Sequence, residues 1–251
     1  MEDNNIAISL NGVDVSLTKT PILFDINLNI KRGSIYGLLG PSGAGKTTTI
    51  KVVAGIIEAD KGEASILGVD MPNLTEMAKI GYMAQSDALY EDLSGYENLE
   101  FFGELYGMKK KQLKERIEYA LGLVNLTDDG KKLVSKYSGG MKRRLALAAA
   151  VLHNPEVLIL DEPTVGIDPL LRKELWDELY KLSDEGTTIL VTTHVMDEAE
   201  KCHELAMMRN GKVIGEGTPE SLIEQCAVKN LEEVFLKLSM EQNEGATDNE
   251  N

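Results

Sequence analysis

Residues 40–47, Gly-Pro-Ser-Gly-Ala-Gly-Lys-Thr, constrain this chain more than any other stretch. They fit the pattern GxxxxGK[ST] without a mismatch, and the context fits too. The apolar run 34–39 before them reads as a buried strand, and a helical pattern from Lys46 to Ile57 follows. Glycines let a tight turn aim successive N–H groups inward at an anion, and the helix start adds its positive dipole end. Lys46 is then suited to reach phosphate oxygens and Thr47 to offer a hydroxyl to Mg²⁺. Gly40, Pro41, Ser42, Gly43, Ala44, Gly45, Lys46, Thr47 and the adjoining Thr48 are therefore candidate nucleotide-binding residues. A plain Gly-rich turn with an exposed lysine would require neither the strand nor the helix.

Beyond the loop, apolar strand-like runs at 157–160 and 188–193 alternate with helical patterns. Alternation of this kind predicts an α/β fold around a mostly parallel central sheet. Each run ends in residues that carry chemistry. Val157–Leu160 delivers Asp161 and Glu162, carboxylates costly to half-bury without a cation or proton donor. Asp161 suits Mg²⁺, and Glu162 suits a general base acting on water. The run 188–193 delivers His194. Ligands of open α/β sheets bind at the carboxyl ends of the strands, so all three groups are expected on one rim. Taken singly, the carboxylates also read as the start of a solvated turn and His194 as a capping residue. His153 and His203 read as helical residues without a role.

A fourth signal, Tyr137-Ser138-Gly139-Gly140-Met141, opens a long helical pattern. Ser138 reads as an N-cap, but an N-cap does not call for two glycines behind it. The 241–251 stretch reads as a loose polar tail, and Asn11-Gly12 and Asn210-Gly211 as hairpin turns.

Composition narrows the function. The 251 residues carry a net charge of −15, which disfavours a general nucleic-acid binder, so no nucleic-acid partner is expected. No apolar run approaches the ~20 residues of a membrane span, and the N-terminal sequence lacks the features of a secretory signal. Two cysteines cannot form a disulfide framework, in keeping with a reducing compartment.

Together these residues resemble the ATP-binding subunit of the ABC (ATP-binding cassette) transporter family, from residue 6 to about 240. Gly40–Thr47 resembles its Walker A, Gln85 its Q-loop glutamine, and Tyr137–Met141 its signature loop. Val157–Glu162 resembles Walker B, Val165–Asp168 the D-loop, and His194 the switch histidine. The resemblance implies a P-loop NTPase with an N-terminal antiparallel β subdomain and an inserted helical subdomain at about 87–152. It further implies ATP and Mg²⁺ as ligands, with Thr47, Gln85 and Asp161 around the metal. Glu162, His194, Gln85 and Lys46 would be catalytic. It implies a second cassette, identical or paralogous, whose ATP would meet Ser138, Gly139 and Gly140, with Asp168 at the same interface. Asp168 also reads as an N-cap ahead of Pro169. The family's adenine-stacking aromatic aligns with Leu17, and its usual signature Leu and Gln are Tyr137 and Met141 here.

The wording of Tyr36–Gly40, of the Ser-Gly-Gly-Met-Lys-Arg-Arg run and of Leu231–Leu238 resembles exporter ATPases of the drug, antibiotic or polysaccharide type. The expected partner is a transmembrane permease subunit, which places the chain peripherally on the cytoplasmic side of the cell membrane. The rivals are a soluble ABC ATPase uncoupled from transport and an importer cassette. Residues 109–144 hold eleven Lys/Arg against four Asp/Glu, a basic window of +7 in an acidic chain. It reads as a solvated helical face, or as a surface that meets anionic headgroups.

Overall fold

A computed structural model of the chain describes residues 5–86 and 88–247. It divides into two units, Leu74–Ile189 and the remainder of the chain.

The first unit begins with β1 (Ile6–Leu17) and β2 (Thr20–Lys31), which pair antiparallel. Their inward faces alternate apolar residues such as Ile8, Leu10, Val13 and Val15 against Leu23, Ile26, Leu28 and Ile30, all buried. The turn between them is Thr18-Lys19, both at positive φ (48° and 70°), the geometry of a two-residue hairpin loop. Asn11-Gly12, expected as a turn, lies instead inside β1. There the register shifts from Leu10↔Leu28 to Val13↔Ile26, so the pair forms a bulge. A neighbouring strand is the reason: a Cβ at Gly62 would lie 2.3 Å from the Gly12 carbonyl oxygen. That strand is β4 (Lys61–Ile66), which with β5 (Val69–Asp70) completes an antiparallel sheet of order β2-β1-β4-β5.

The same unit contains β3 (Ile35–Leu39), followed by α1 (Lys46–Val53), which stops four residues short of Ile57. β9 (Glu204–Arg209) runs parallel to β3 with Tyr36↔Glu204 and Leu39↔Met207, and β10 (Lys212–Gly217) returns antiparallel through the Asn210-Gly211 turn. The helices α8 (Pro219–Cys226) and α9 (Leu231–Thr247) cover this layer. Leu222, Leu231 and Val234 pack with Leu39, Leu205 and Met207. α9 thus runs into the 241–251 stretch that reads as a tail; residues 248–251 lie outside the described residues.

The second unit holds the short α2 (Leu74–Met77) and two parallel strands, β6 (Ile80–Met83) and β7 (Val157–Asp161), paired from Ile80↔Val157 to Met83↔Leu160. Between them run α3 (Gly95–Leu105), α4 (Lys110–Leu123) and α5 (Gly139–Val151), mutually packed. α6 (Pro169–Asp184) follows β7, β8 (Thr188–Thr193) crosses the boundary between the units, and the short α7 (Met196–Ala199) comes next in the chain. Every residue of β3, β7 and β8 is buried, and for β3 and β7 this is what parallel strands covered on both faces require.

The basic window separates by residue type. Of its eight lysines, seven are exposed, and Lys142 pairs with Glu91. Its three arginines all donate to backbone carbonyls. Arg116 donates to Val151 (2.7 Å) and Leu152 (2.8 Å) at the C-terminus of α5. Arg144 reaches Val124 (3.1 Å) and Asn125 (3.0 Å) at the end of α4. The Arg116 and Arg144 guanidinium groups donate to carbonyls at helix ends, where intrahelical donors run out, so part of the window is internal architecture.

Candidate functional site

The loop after β3 is built by close approach. The Gly40 amide donates to the Thr193 carbonyl at 3.3 Å, fixing the exit of β3 beside the end of β8. A Cβ on Gly40 would sit 2.3 Å from the Met208 carbonyl oxygen, which excludes any side chain there. Gly45 caps α1 at φ 105°, left-handed backbone that favours glycine, with no side-chain cap competing for the first N–H groups. Lys46 is buried, and its ammonium donates to the Gly40 (2.6 Å) and Pro41 (3.1 Å) carbonyls. The ammonium is thus held inside the loop by its own backbone. Thr47 and Thr48 follow, half-buried, on the first turn of α1.

His194 lies just beyond Thr193, exposed, in a bend. Thr193 is anchored by its hydroxyl, which donates to the buried Glu198 carboxylate at 2.7 Å and accepts from the Val195 amide. His203 is not helical: it lies in the bend before β9, where Nδ1 accepts from the Ile35 amide at 3.0 Å. Leu17 sits at the end of β1 beside the Thr18-Lys19 turn, 40% exposed.

In the second unit, Asp161 ends β7 and is 1% exposed. Glu162 follows with φ 50°, left-handed backbone that a non-glycine residue adopts only under constraint. Burial raises the pKa of the Tyr82 phenol on β6, and the Asp161 charge acts in the same direction. Gln85, exposed, is the second residue of the loop after β6. Ser138 caps α5, its hydroxyl accepting from the Met141 amide at 3.2 Å. Asp168 caps α6 through Leu170 and Leu171 (both 3.1 Å), with Pro169 at the first helical position. A Cβ on Gly140 would lie 3.2 Å from the Gly166 carbonyl oxygen, which brings the signature-like loop next to the residues before Asp168. Gly139 differs. Among the described residues nothing lies within 4 Å of a Cβ placed there, and its backbone is helical.

Residues 23–165 match the family model described as ABC transporter. The chain belongs to the ABC transporter family as an ATP-binding domain. The cassette is 40% identical over 220 residues to the probable multidrug ABC transporter ATP-binding protein YbhF of Escherichia coli, with 85% of this chain aligned to 38% of that protein. It is 38% identical over 238 residues to the Nod factor export ATP-binding protein I of Bradyrhizobium diazoefficiens, covering 94% of this chain and 78% of the relative. The chain therefore spans less than half of one relative and about three quarters of the other. A solved ATP-binding subunit of an ABC transporter superposes with TM-score 0.86 at 28% identity, over 93% of this chain and 99% of that one. A dimeric bacterial ABC transporter cassette superposes with TM-score 0.78 at 26% identity, over 84% and 98%.

Tyr137, where the family usually has Leu, is accommodated by a specific gap. Its ring is buried, its hydroxyl donates to the Asp129 carbonyl at 2.8 Å, and a Cβ on Gly95 would meet that hydroxyl at 2.4 Å. Two features of the cassette were missed in sequence. The Gly211 amide supports the phosphate loop at Ala44, and Arg143 joins the loops after β6 and β7. The Asn-Gly dipeptide signalled the hairpin but not its contact; nothing local signalled the arginine.

Proposed function

We propose that the cassette hydrolyses ATP at composite sites formed by two copies or by a paralogous pair, and powers export through a transmembrane permease from the cytoplasmic face of the membrane. The phosphate loop carries this reading, with its lysine buried against the Gly40 and Pro41 carbonyls. An ammonium held this way exchanges neutral acceptors for charged phosphate oxygens when a nucleotide enters. Export is supported by the names of the relatives, and no helix among the described residues is long and apolar enough to cross a membrane.

The residues fit Mg²⁺ bound together with nucleotide. Among the described residues no group of three or more His, Cys, Asp or Glu is placed to hold a metal alone. Thr47, Gln85 and Asp161 offer hard oxygen donors, the kind that share Mg²⁺ with substrate phosphates. When bound, Mg²⁺ offsets the charge of the β- and γ-phosphates.

Glu162 acts as general base, accepting a proton from the attacking water. Gln85 and His194 orient water and γ-phosphate, and Leu17 offers the base an aliphatic contact. Ser138, Gly139 and Gly140 serve the ATP held by the partner cassette, with Asp168 at the same interface. The exposed Ser138 and the open space above Gly139 support this assignment, since no atom of the described residues fills the place of a side chain there.

The test is Glu162→Gln in the full chain. Turnover should fall by about 10²–10⁴-fold, while binding of radiolabelled ATP persists. An undiminished kcat rejects Glu162 as the base.

A further inference from the structure

Helix α5 carries a second functional feature besides Ser138. Five residues into the chain from that cap, Arg143 is 6% exposed, and its guanidinium spans two loops. Nη1 donates to the carbonyls of Ala84 (2.8 Å) and Gln85 (2.9 Å). Nη2 donates to the carbonyls of Asp161 and Glu162, the latter at 2.8 Å.

The location of these four acceptors gives the contact its meaning. The parallel pairing of β6 with β7 ends at Met83↔Leu160. Ala84-Gln85 and Asp161-Glu162 are the next residues of each strand, and here one guanidinium bridges the two backbones beyond the last pair. It also holds the carbonyl of Glu162, whose left-handed φ of 50° requires constraint. Only a planar fork with five donors suits this geometry; a lysine ammonium is a point charge with three.

We propose that Arg143 is a positioning residue for hydrolysis, setting Gln85 and Glu162 against each other beyond the end of the sheet. Because Arg143 and Ser138 share α5, an axial shift of that helix reaches both loops through one side chain. The inference rests on the catalytic roles proposed above for Gln85 and Glu162.

The experiment compares the full chain with Arg143→Lys and Arg143→Ala, measuring kcat, KM, ATP affinity and thermal midpoint with MgATP. Misplacement of a reacting group by about 1 Å costs up to about 100-fold, so both variants should lose about 10–100-fold in kcat, with KM and ATP affinity within about 3-fold of the parent. Millimolar guanidinium should restore part of kcat to Arg143→Ala and none to Arg143→Lys. If Arg143→Ala does not fold, the split between kcat and KM in Arg143→Lys decides. Parent-like kcat in Arg143→Lys overturns the proposal. So does a loss of kcat matched by loss of ATP affinity, or one that guanidinium leaves unchanged in folded Arg143→Ala. Glu162→Gln, measured alongside, separates the two levels. Hydrolysis that survives in that variant rejects the assignment of Glu162 itself; an inactive Glu162→Gln beside a fully active Arg143→Lys rejects the positioning role alone.

Discussion

The Gly211 amide donates to the Ala44 carbonyl at 3.0 Å, so the β9–β10 hairpin braces the phosphate loop from behind. Gly211 has φ 73°, and a Cβ there would lie 2.0 Å from the Ile22 carbonyl oxygen. Gly211→Ala therefore imposes about 1–3 kcal/mol of backbone strain and displaces a hairpin that touches Ala44. Both the thermal midpoint and ATP affinity should drop. A variant that loses stability yet binds ATP like the parent would disconnect the hairpin from the loop.

Lys46 and Ser138 should complement each other across two subunits. Lys46→Ala removes the ammonium held inside the loop after β3, and Ser138→Arg fills the face proposed to meet the partner's ATP. Each variant alone should be inactive. Mixed dimers should regain about half the parent rate, since one of two composite sites keeps both halves and residues acting as a unit do not contribute additively. ATPase assays across a mixing series, with heterodimers quantified by tag pull-down, check this. No recovery when mixed dimers are present would place the two residues in separate functions.

Legibility in the sequence followed the range over which each feature is determined. Gly40–Thr47 and Asp168-Pro169 were readable because loop, cap and helix start are settled within a few residues. Asn210-Gly211 was readable for the same reason. Asn11-Gly12 carries the same signal but sits in a bulge, because its geometry answers to Gly62, fifty positions away. The real turn, Thr18-Lys19, uses two non-glycine residues at positive φ and gives no compositional signal. Likewise, His153 reads as helical but lies in the turn after α5, with its ring stacked on Tyr106 at 3.7 Å. Arg143 was hidden most deeply. Its acceptors are backbone carbonyls, which every residue has, so nothing in the identity of residues 84, 85, 161 or 162 marks them as its partners.

His153 should make stability depend on pH. Burial depresses its pKa to about 4, the Arg116 charge adding to that effect and the backbone at Ile80 opposing it. The unfolded side chain titrates near 6.5. Above about pH 6.5 both states are neutral and the native contribution is complete. As pH falls from about 6.5 towards 4, the unfolded state takes up a proton that the folded state resists, and stability declines. Allowing for the partial exposure of the ring, the loss between pH 7 and 5 is about 1–2 kcal/mol. Urea unfolding of parent and His153→Gln at several pH values isolates this contribution as the difference in slope. Parallel slopes would show that His153 does not titrate differently in the two states.

The division of the basic window predicts opposite outcomes for neighbouring cations. Arg116 donates to two carbonyls at the end of α5 and lies 4.6 Å over the Tyr119 ring. Arg116→Gln removes charge-assisted hydrogen bonds and leaves half-buried acceptors behind, at a cost of about 1.5–3 kcal/mol. Lys110→Gln changes an exposed residue in the first turn of α4, where a cation opposes the helix dipole. Its effect on stability should stay within about 0.5 kcal/mol, with a slight gain favoured. Chemical denaturation of the two variants decides between an architectural and a surface role for each cation. Equal effects would mean that the window acts through net charge, independent of which carbonyls its arginines reach.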